Sequence, residues 1–295
     1  TYDRHHVRHE RIYRVATSFT ADGREQRFAR AAPLLGPVLS AVYPDIEAYV
    51  RFQPPGYWET GSDRLIRHGD DAFYWKDNYV ADANVFEVFT HQIAFGDPST
   101  ALVDPSSAAV SRTFAERYFG SANPLGETLT LDNGDQRTIT LVFEDLPYNT
   151  HLKYDVLFSY NSVALPSDAR QRTMELFAAS VFTYVVLREG YDAARFAVLA
   201  SSFFDRHMVE RAAEIHVEGW TAWLQPLADV HLFSDLLEDL PPGNRYHLLG
   251  LQAAVALILL IACINHVNLA TANGLKRAKE IGTRKILGAT RGALA

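Results

Sequence analysis

Residue types able to do chemistry are thinly spread along this chain of 295 residues. Three histidines crowd its start: His5, His6 and His9, with Glu10 beside them. His5 and His9 would share one face of a helix, a spacing that can hold zinc. Arg4, Arg8 and Arg11 stand among them and oppose a cation, so the segment reads as solvated and metal-free. His151 and His231 follow strand-like runs in polar stretches and read as hydrogen-bonding residues rather than catalysts. Asp97, Asp104 and Asp145 sit beside Pro or Leu-Pro and read as turn residues. There is no Gly-Lys dipeptide, hence no phosphate-cradling P-loop, and no G-x-S-x-G, H-E-x-x-H or C-x-x-C. No catalytic residue, cofactor or metal is assigned. What remains is a charged cluster near the C-terminus, Glu280, Arg284 and Lys285. Lys276 to Ala295 reads as a helix, a break and a second helix start. Gly282 and Gly288 interrupt it, since glycine weakens a helix interior by ~1 kcal/mol relative to alanine.

The element that must position this cluster precedes it directly. Tyr246 to Leu275 contains no Asp, Glu, Lys or Arg, in a chain that is 21% charged. Leu248 to Ala270, as a helix, is long enough to cross a bilayer core of ~30 Å. Residues 246–275 are therefore expected to form a transmembrane helix. Lys276 to Ala295 holds six Lys/Arg and one Glu, so it carries +5; the chain as a whole is −7, which leaves −12 on residues 1–275. A basic flank beside a span marks the cytoplasmic side. Residues 1–245 are thus expected outside and 276–295 inside. Asn265, His266 and Asn268 lie toward the basic end of the span and read as interfacial. The apolar run lies far from the N-terminus, so it is not a signal peptide. Thr1 is not a Met and the chain ends within a basic, helix-like segment, so it reads as part of a longer protein.

About 245 residues remain for one large domain or two small ones. The only cysteine is Cys263, inside the apolar run, so the outer part has no disulfide. The acidic balance excludes the basic face that nucleic acid requires. Within the outer part, Tyr13, Val15, Thr17 and Phe19 alternate as a strand, Leu34 to Val42 is spaced as a helix between Pro33 and Pro44, and Ile46 to Phe52 alternates again. Gln53 to Asp70 reads as a loop. Phe73 to Val80 and Val85 to Phe89 read as strands. Ser111 can cap a helix ending at Phe119, with Gly120 as its stop. Asp132-Asn133-Gly134-Asp135 joins two alternating runs as a hairpin. Phe182 to Arg188 begins a second strand–helix unit, whose helix places Phe196, Leu199, Ala200, Phe203 and Phe204 on one face, and Trp220 to Leu227 returns as a strand. The expectation is an α+β fold of two lobes: one of two β-α-β-like units, the other a small β-rich insert at roughly residues 125–180.

Several strings carry a family resemblance: FGDPSTALVDP, AERYFGSANPLGETL, FEDLPYNTHLKYDVLFS and, at the C-terminus, GLKRAKEIGTRKILGAT. Together they resemble FtsX-like, MacB-type permeases of ABC transporters, over essentially the whole chain. His266 departs from the large apolar or aromatic residue usual in that family, and Asn273-Gly274 from the common Arg-Ser. The resemblance implies a periplasmic core domain with porter-like β-α-β units and a β-rich insert, set in a bacterial inner membrane with the large domain periplasmic. It implies membrane helices before and after this stretch. It implies a cytoplasmic ABC ATPase partner, a second permease copy or paralogue, and a place for a periplasmic adaptor. Under the resemblance Glu280, Ile281, Gly282, Arg284, Lys285, Gly288 and Ala289 form the segment that docks on the ATPase. Hydrolysis there is expected to move the outer domain for export or extraction of substrate, with no enzymatic activity in this chain. A membrane-anchored sensor that binds a ligand outside is the rival reading, and an anchored hydrolase using the histidines is a third. Further hydrophobic spans beyond Ala295 would favour the permease, a kinase or cyclase domain the sensor, and bound metal the hydrolase.

Overall fold

The computed structural model describes residues 2–21, 23–55, 64–68, 71–120, 123–163, 178–193, 195–198, 200–201, 218–240, 243 and 245–287. They fall into two compact units, Thr1–Pro242 and Gly243–Ala295.

The first unit is a mixed sheet with helices. Its strands are β1 Ile12–Ala21, β2 Arg24–Phe28, β3 Ile46–Gln53, β4 Arg64–His68, β5 Asp71–Trp75, β6 Asn78–Ala81, β7 Ile93–Gly96, β8 Ser107–Ser111, β9 Thr128–Leu131, β10 Gln136–Phe143, β11 Val156–Ser159, β12 Phe182–Leu187 and β13 Glu218–Pro226. Its helices are α1 Leu35–Val42, α2 Val85–Val88, α3 Arg112–Phe119 and α4 Leu227–Phe233, with further helical residues at 195–198 and 200–201.

At one end the strand order is β13-β1-β12-β3. β1 is antiparallel to β12 and β13, and β12 is antiparallel to β3. Each strand–helix–strand unit is therefore split by a strand of the other, the interleaving seen in ferredoxin-like folds. Leu35 and Leu39 of α1 pack with Phe196 and Ala200 over Val15, Val185 and Ala222. β1 is buried on both faces: Tyr13 and Phe19 meet this cluster, while Ile12 joins a second core behind the sheet. That second core is built round Phe52, Phe89, Tyr154 and Tyr184.

The expected division at residues 125–180 is not what the strands form. One hydrogen-bonded sheet continues through β6-β11-β8-β10-β9-β4-β5. The join is narrow, with β3 meeting β6 at Phe52↔Ala81 and Gln53↔Val80. The distal end has its own core, in which Ile66, Val110, Phe114, Leu129, Ile139 and Phe158 meet. It thus draws on residues from β4 to β11, because β6 and β11 pair in parallel and tie sequence-distant runs together. Residues 164–177 of the expected insert lie outside the described residues.

Locally, the capping chemistry is as expected. Ser111 Oγ accepts the Phe114 amide at 3.2 Å and Gly120 ends α3 at φ 60°. β9 and β10 form the hairpin, with Gly134 at φ 86°. Three other expectations change. Val85 to Val88 is a single helical turn whose Val85 and Val88 face inward, not a strand. Phe73 to Val80 is two strands broken at residues 76–77, and β4 lies inside the expected loop. Leu199 and the expected helical positions Phe203 and Phe204 lie outside the described residues.

The second unit is dominated by one helix, α5 Arg245–Ile286, 42 residues long. At 1.5 Å per residue it measures about 63 Å, roughly twice a bilayer core. From Leu249 on its apolar residues are exposed, and the stretch Leu249–Ile286 holds an 18-residue run of mean hydropathy 2.1, long and apolar enough to cross a membrane.

Candidate functional site

The charged cluster sits on the last three turns of α5. Arg284 Nη2 donates to Glu280 Oε1 at 2.5 Å, one helical turn apart, and both side chains are more than half exposed. An exposed pair of this kind stabilises a helix by only ~0.3–0.5 kcal/mol. Thr283 Oγ1 donates back to the Lys279 carbonyl at 2.9 Å. Ile281, Ile286 and Leu287 are exposed beside these charges. The expected break at Gly282 is absent: α5 runs through it and ends at Ile286. A single glycine costs only ~1 kcal/mol, too little to end a long helix, and the Glu280–Arg284 pair across it offsets part of that. Gly288 and Ala289 lie outside the described residues. Asn265, His266, Asn268, Asn273 and Gly274 also fall within the uninterrupted helix.

The N-terminal histidines form no helix face. Residues 2–11 make successive turns, closed by His9 N–H to the His6 carbonyl at 3.1 Å and Arg11 N–H to the Arg8 carbonyl at 2.8 Å. The segment is not simply solvated, because Asp3 and His6 are buried. Asp3 Oδ1 accepts from Thr150 Oγ1 at 3.0 Å and from the His151 amide at 3.1 Å. Burial alone would raise the Asp3 carboxyl, but His151 and these hydrogen bonds outweigh it and hold it below its ordinary value. His151 Nδ1 lies 3.0 Å from the same oxygen, though not aligned for a hydrogen bond. His151 Nε2 meets the Tyr184 hydroxyl at 2.6 Å, so His151 makes the hydrogen bonds its sequence context suggested. His6 Nδ1 accepts the Thr90 amide at 3.1 Å. Burial, then His5, lowers His6 to about 3. Burial lowers His91, which meets the Tyr154 hydroxyl at 2.6 Å, to about 4. His231 lies in α4 rather than a loop and stacks on Tyr2 at 3.5 Å. Among the described residues no group of three or more His, Cys, Asp or Glu could hold a metal ion.

Asp97 and Asp104 are turn residues, accepting from Ser99 and Ser106 two positions on. Asp145 instead caps α3 from a distance, accepting the Thr113 amide at 3.0 Å. One functional candidate left only a faint sequence signal. Arg14, in the middle of β1, is fully buried and holds Asp239, 225 residues away. Its only trace is a charged residue on an otherwise apolar and small-residue strand.

With this geometry in place, the chain can be compared with known proteins. Residues 5–200 match the model of the MacB-like periplasmic core domain. A domain assigned to a permease protein of Porphyromonas gingivalis shares the fold, with TM-score 0.64 and 22% identity over 83% of this chain and 98% of that one. The periplasmic region of MacB from Actinobacillus actinomycetemcomitans aligns with TM-score 0.45 and 12% identity over 73% of this chain and 90% of that one. The extracellular domain of the noncanonic ABC-type transporter YknZ from Gram-positive bacteria gives 0.46 and 11%, over 72% and 98%. No curated protein matches the sequence. The match of residues 5–200, two thirds of the sequence, shows that the chain belongs to the family of MacB-like periplasmic core domains of ABC-transporter permeases.

Proposed function

We propose that the chain is the outer domain and following membrane helix of a permease that couples cytoplasmic ATP hydrolysis to movement of a periplasmic domain, for export or extraction of substrate. The observation that carries this is the pairing of a MacB-like core domain with an apolar helix that ends in a basic segment. The helix lies in a bacterial inner membrane, with residues 1–245 periplasmic and the basic end cytoplasmic. Because α5 is about twice as long as the bilayer core is thick, its charged end projects beyond the lipid as a rigid rod. Glu280, Ile281, Gly282, Arg284 and Lys285 on that rod, with Gly288 and Ala289 after it, dock on a partner ABC ATPase. Hydrolysis takes place on that partner and not on this chain, which lacks a P-loop. A second permease copy completes the membrane unit, and a periplasmic adaptor is accommodated.

The test is Glu280→Lys in the full-length protein reconstituted with its ATPase. If this end merely touched anionic headgroups, the added positive charge would be harmless or helpful. Docking on a protein depends on individual pairs, so the account expects coupled ATPase activity to fall about ten-fold with insertion intact. Full coupled activity and normal co-purification would contradict it.

A further inference from the structure

After β13 and α4 the chain leads toward α5, and its residues 234–240 are fixed by directional polar contacts. Arg14, fully buried in β1, pairs across the sheet with Tyr184 on one side and Gln225 on the other. Its Nη1 donates to Asp239 Oδ1 at 2.5 Å and its Nη2 to Asp239 Oδ2 at 2.9 Å, a two-pronged pair. Nη2 also donates to Gln225 Oε1 at 2.7 Å and to Ser234 Oγ at 2.8 Å. Ser234 in turn donates to Asp239. Asp239 stands six residues before the first residue of α5.

Two neighbours reinforce the fixture. Leu237 exchanges backbone hydrogen bonds with Arg27 and Ala29 at 2.8 and 3.0 Å. Glu238 holds φ 54°, a conformation that costs a non-glycine residue of order 1 kcal/mol and persists only where its surroundings over-determine it. Leu236 and Leu240 already pack on the core, so apolar contact alone would keep the segment attached. A buried ion pair adds little net stability over apolar residues of similar volume. What it adds is register: if the segment slid by one residue, Glu238 or Leu240 would face Arg14 in place of Asp239.

We propose that the Arg14–Asp239 pair is the positioning contact through which axial movement of α5 is transmitted to β1 of the periplasmic sheet. Arg14 and Asp239 hold the linker at one register, so that displacement of the helix moves β1 rather than being absorbed as slippage. The inference rests on the permease reading above, and names the residues that would carry its mechanical step.

The experiment uses the full-length protein in lipid nanodiscs, with and without its ATPase, and compares wild type with Arg14→Met/Asp239→Leu. That double variant removes the directional bonds and keeps the buried volume. Without ATPase, hydrogen exchange of residues 235–243 should speed up about ten-fold while β12 stays protected. With ATPase, coupled activity should fall about five-fold. Unchanged protection of 235–243, or unchanged coupled activity, would overturn the proposal. Should the double variant lose protection in β12 as well, Ser234→Ala removes one bond from each partner and carries the same two comparisons. If the wild-type protein couples to no ATPase, the permease reading fails, while the exchange comparison still decides whether this pair is what fixes the linker.

Discussion

Four buried or half-buried groups near the chain's entry into the sheet, Asp3, His5, His6 and His91, share one electrostatic neighbourhood, and it fixes a pH response. His6 and His91 are held neutral, at about 3 and about 4 against an ordinary 6.5, and His5 and His231 are lowered in the same direction. The unfolded chain therefore takes up protons below about pH 6.5 that the folded chain refuses until about pH 4 and below, so stability falls as pH drops through that window. Asp3, lowered, adds stability above its unfolded value that is lost at still lower pH. Asp155, raised by burial, acts in the opposite sense. The expectation from the His6 and His91 rings is a loss on the order of 6 kcal/mol between pH 7 and pH 4, which Asp155 reduces. Urea titrations at the two pH values check it, and His91→Phe should flatten the dependence. Equal stability at both values would contradict the burial of these rings. Little of this was legible in the sequence. The histidines were visible, but their burial depends on Asp3 reaching Thr150 and His151, nearly 150 residues on.

At the scale of elements, helix α1 meets the sheet through Gly36. A Cβ there would lie 3.0 Å from the Tyr49 ring and 3.2 Å from Thr183 Cγ2. Gly36→Val should cost about 1–3 kcal/mol by overpacking, read from the same urea titrations, while an exposed substitution such as Asp132→Asn should stay within ~0.5 kcal/mol. An unchanged midpoint for Gly36→Val would show that α1 is less tightly seated. Elements with alternating or helical spacing and a turn or cap beside them were legible: β1, α1, β3, the β9–β10 hairpin and α3. Those missed have no such contrast. Every residue of β8 and of β11 is buried, so neither alternates between apolar and polar. Helix α2 is four residues, too short for helical periodicity to separate it from a strand. The break expected at Gly282 failed for a different reason. A single glycine costs ~1 kcal/mol, too little to end a helix that continues with good formers and a Glu280–Arg284 pair on either side.

At the scale of the whole molecule, the parts argue for division of labour: a sheet domain without a metal-binding group among its described residues, and an apolar helix with a basic end. Fold class and family were readable because each rests on patterns spread over the chain. The boundary of the insert was not, because parallel pairing of β6 with β11 is decided by contacts that no local run encodes. The central claim is that these parts lie on opposite sides of a membrane, and it follows from the charge difference between residues 1–275 and the basic end. Replacing Cys263, and any cysteine of the full-length protein outside residues 1–295, with alanine gives a cysteine-free background. Asp132→Cys, in the exposed β9–β10 turn, and Lys285→Cys, near the end of α5, can then be exposed in turn to a membrane-impermeant thiol reagent on intact spheroplasts. The account predicts labelling at 132 in intact cells and at 285 only after lysis; labelling at 285 in intact cells, with 132 protected until lysis, would contradict it.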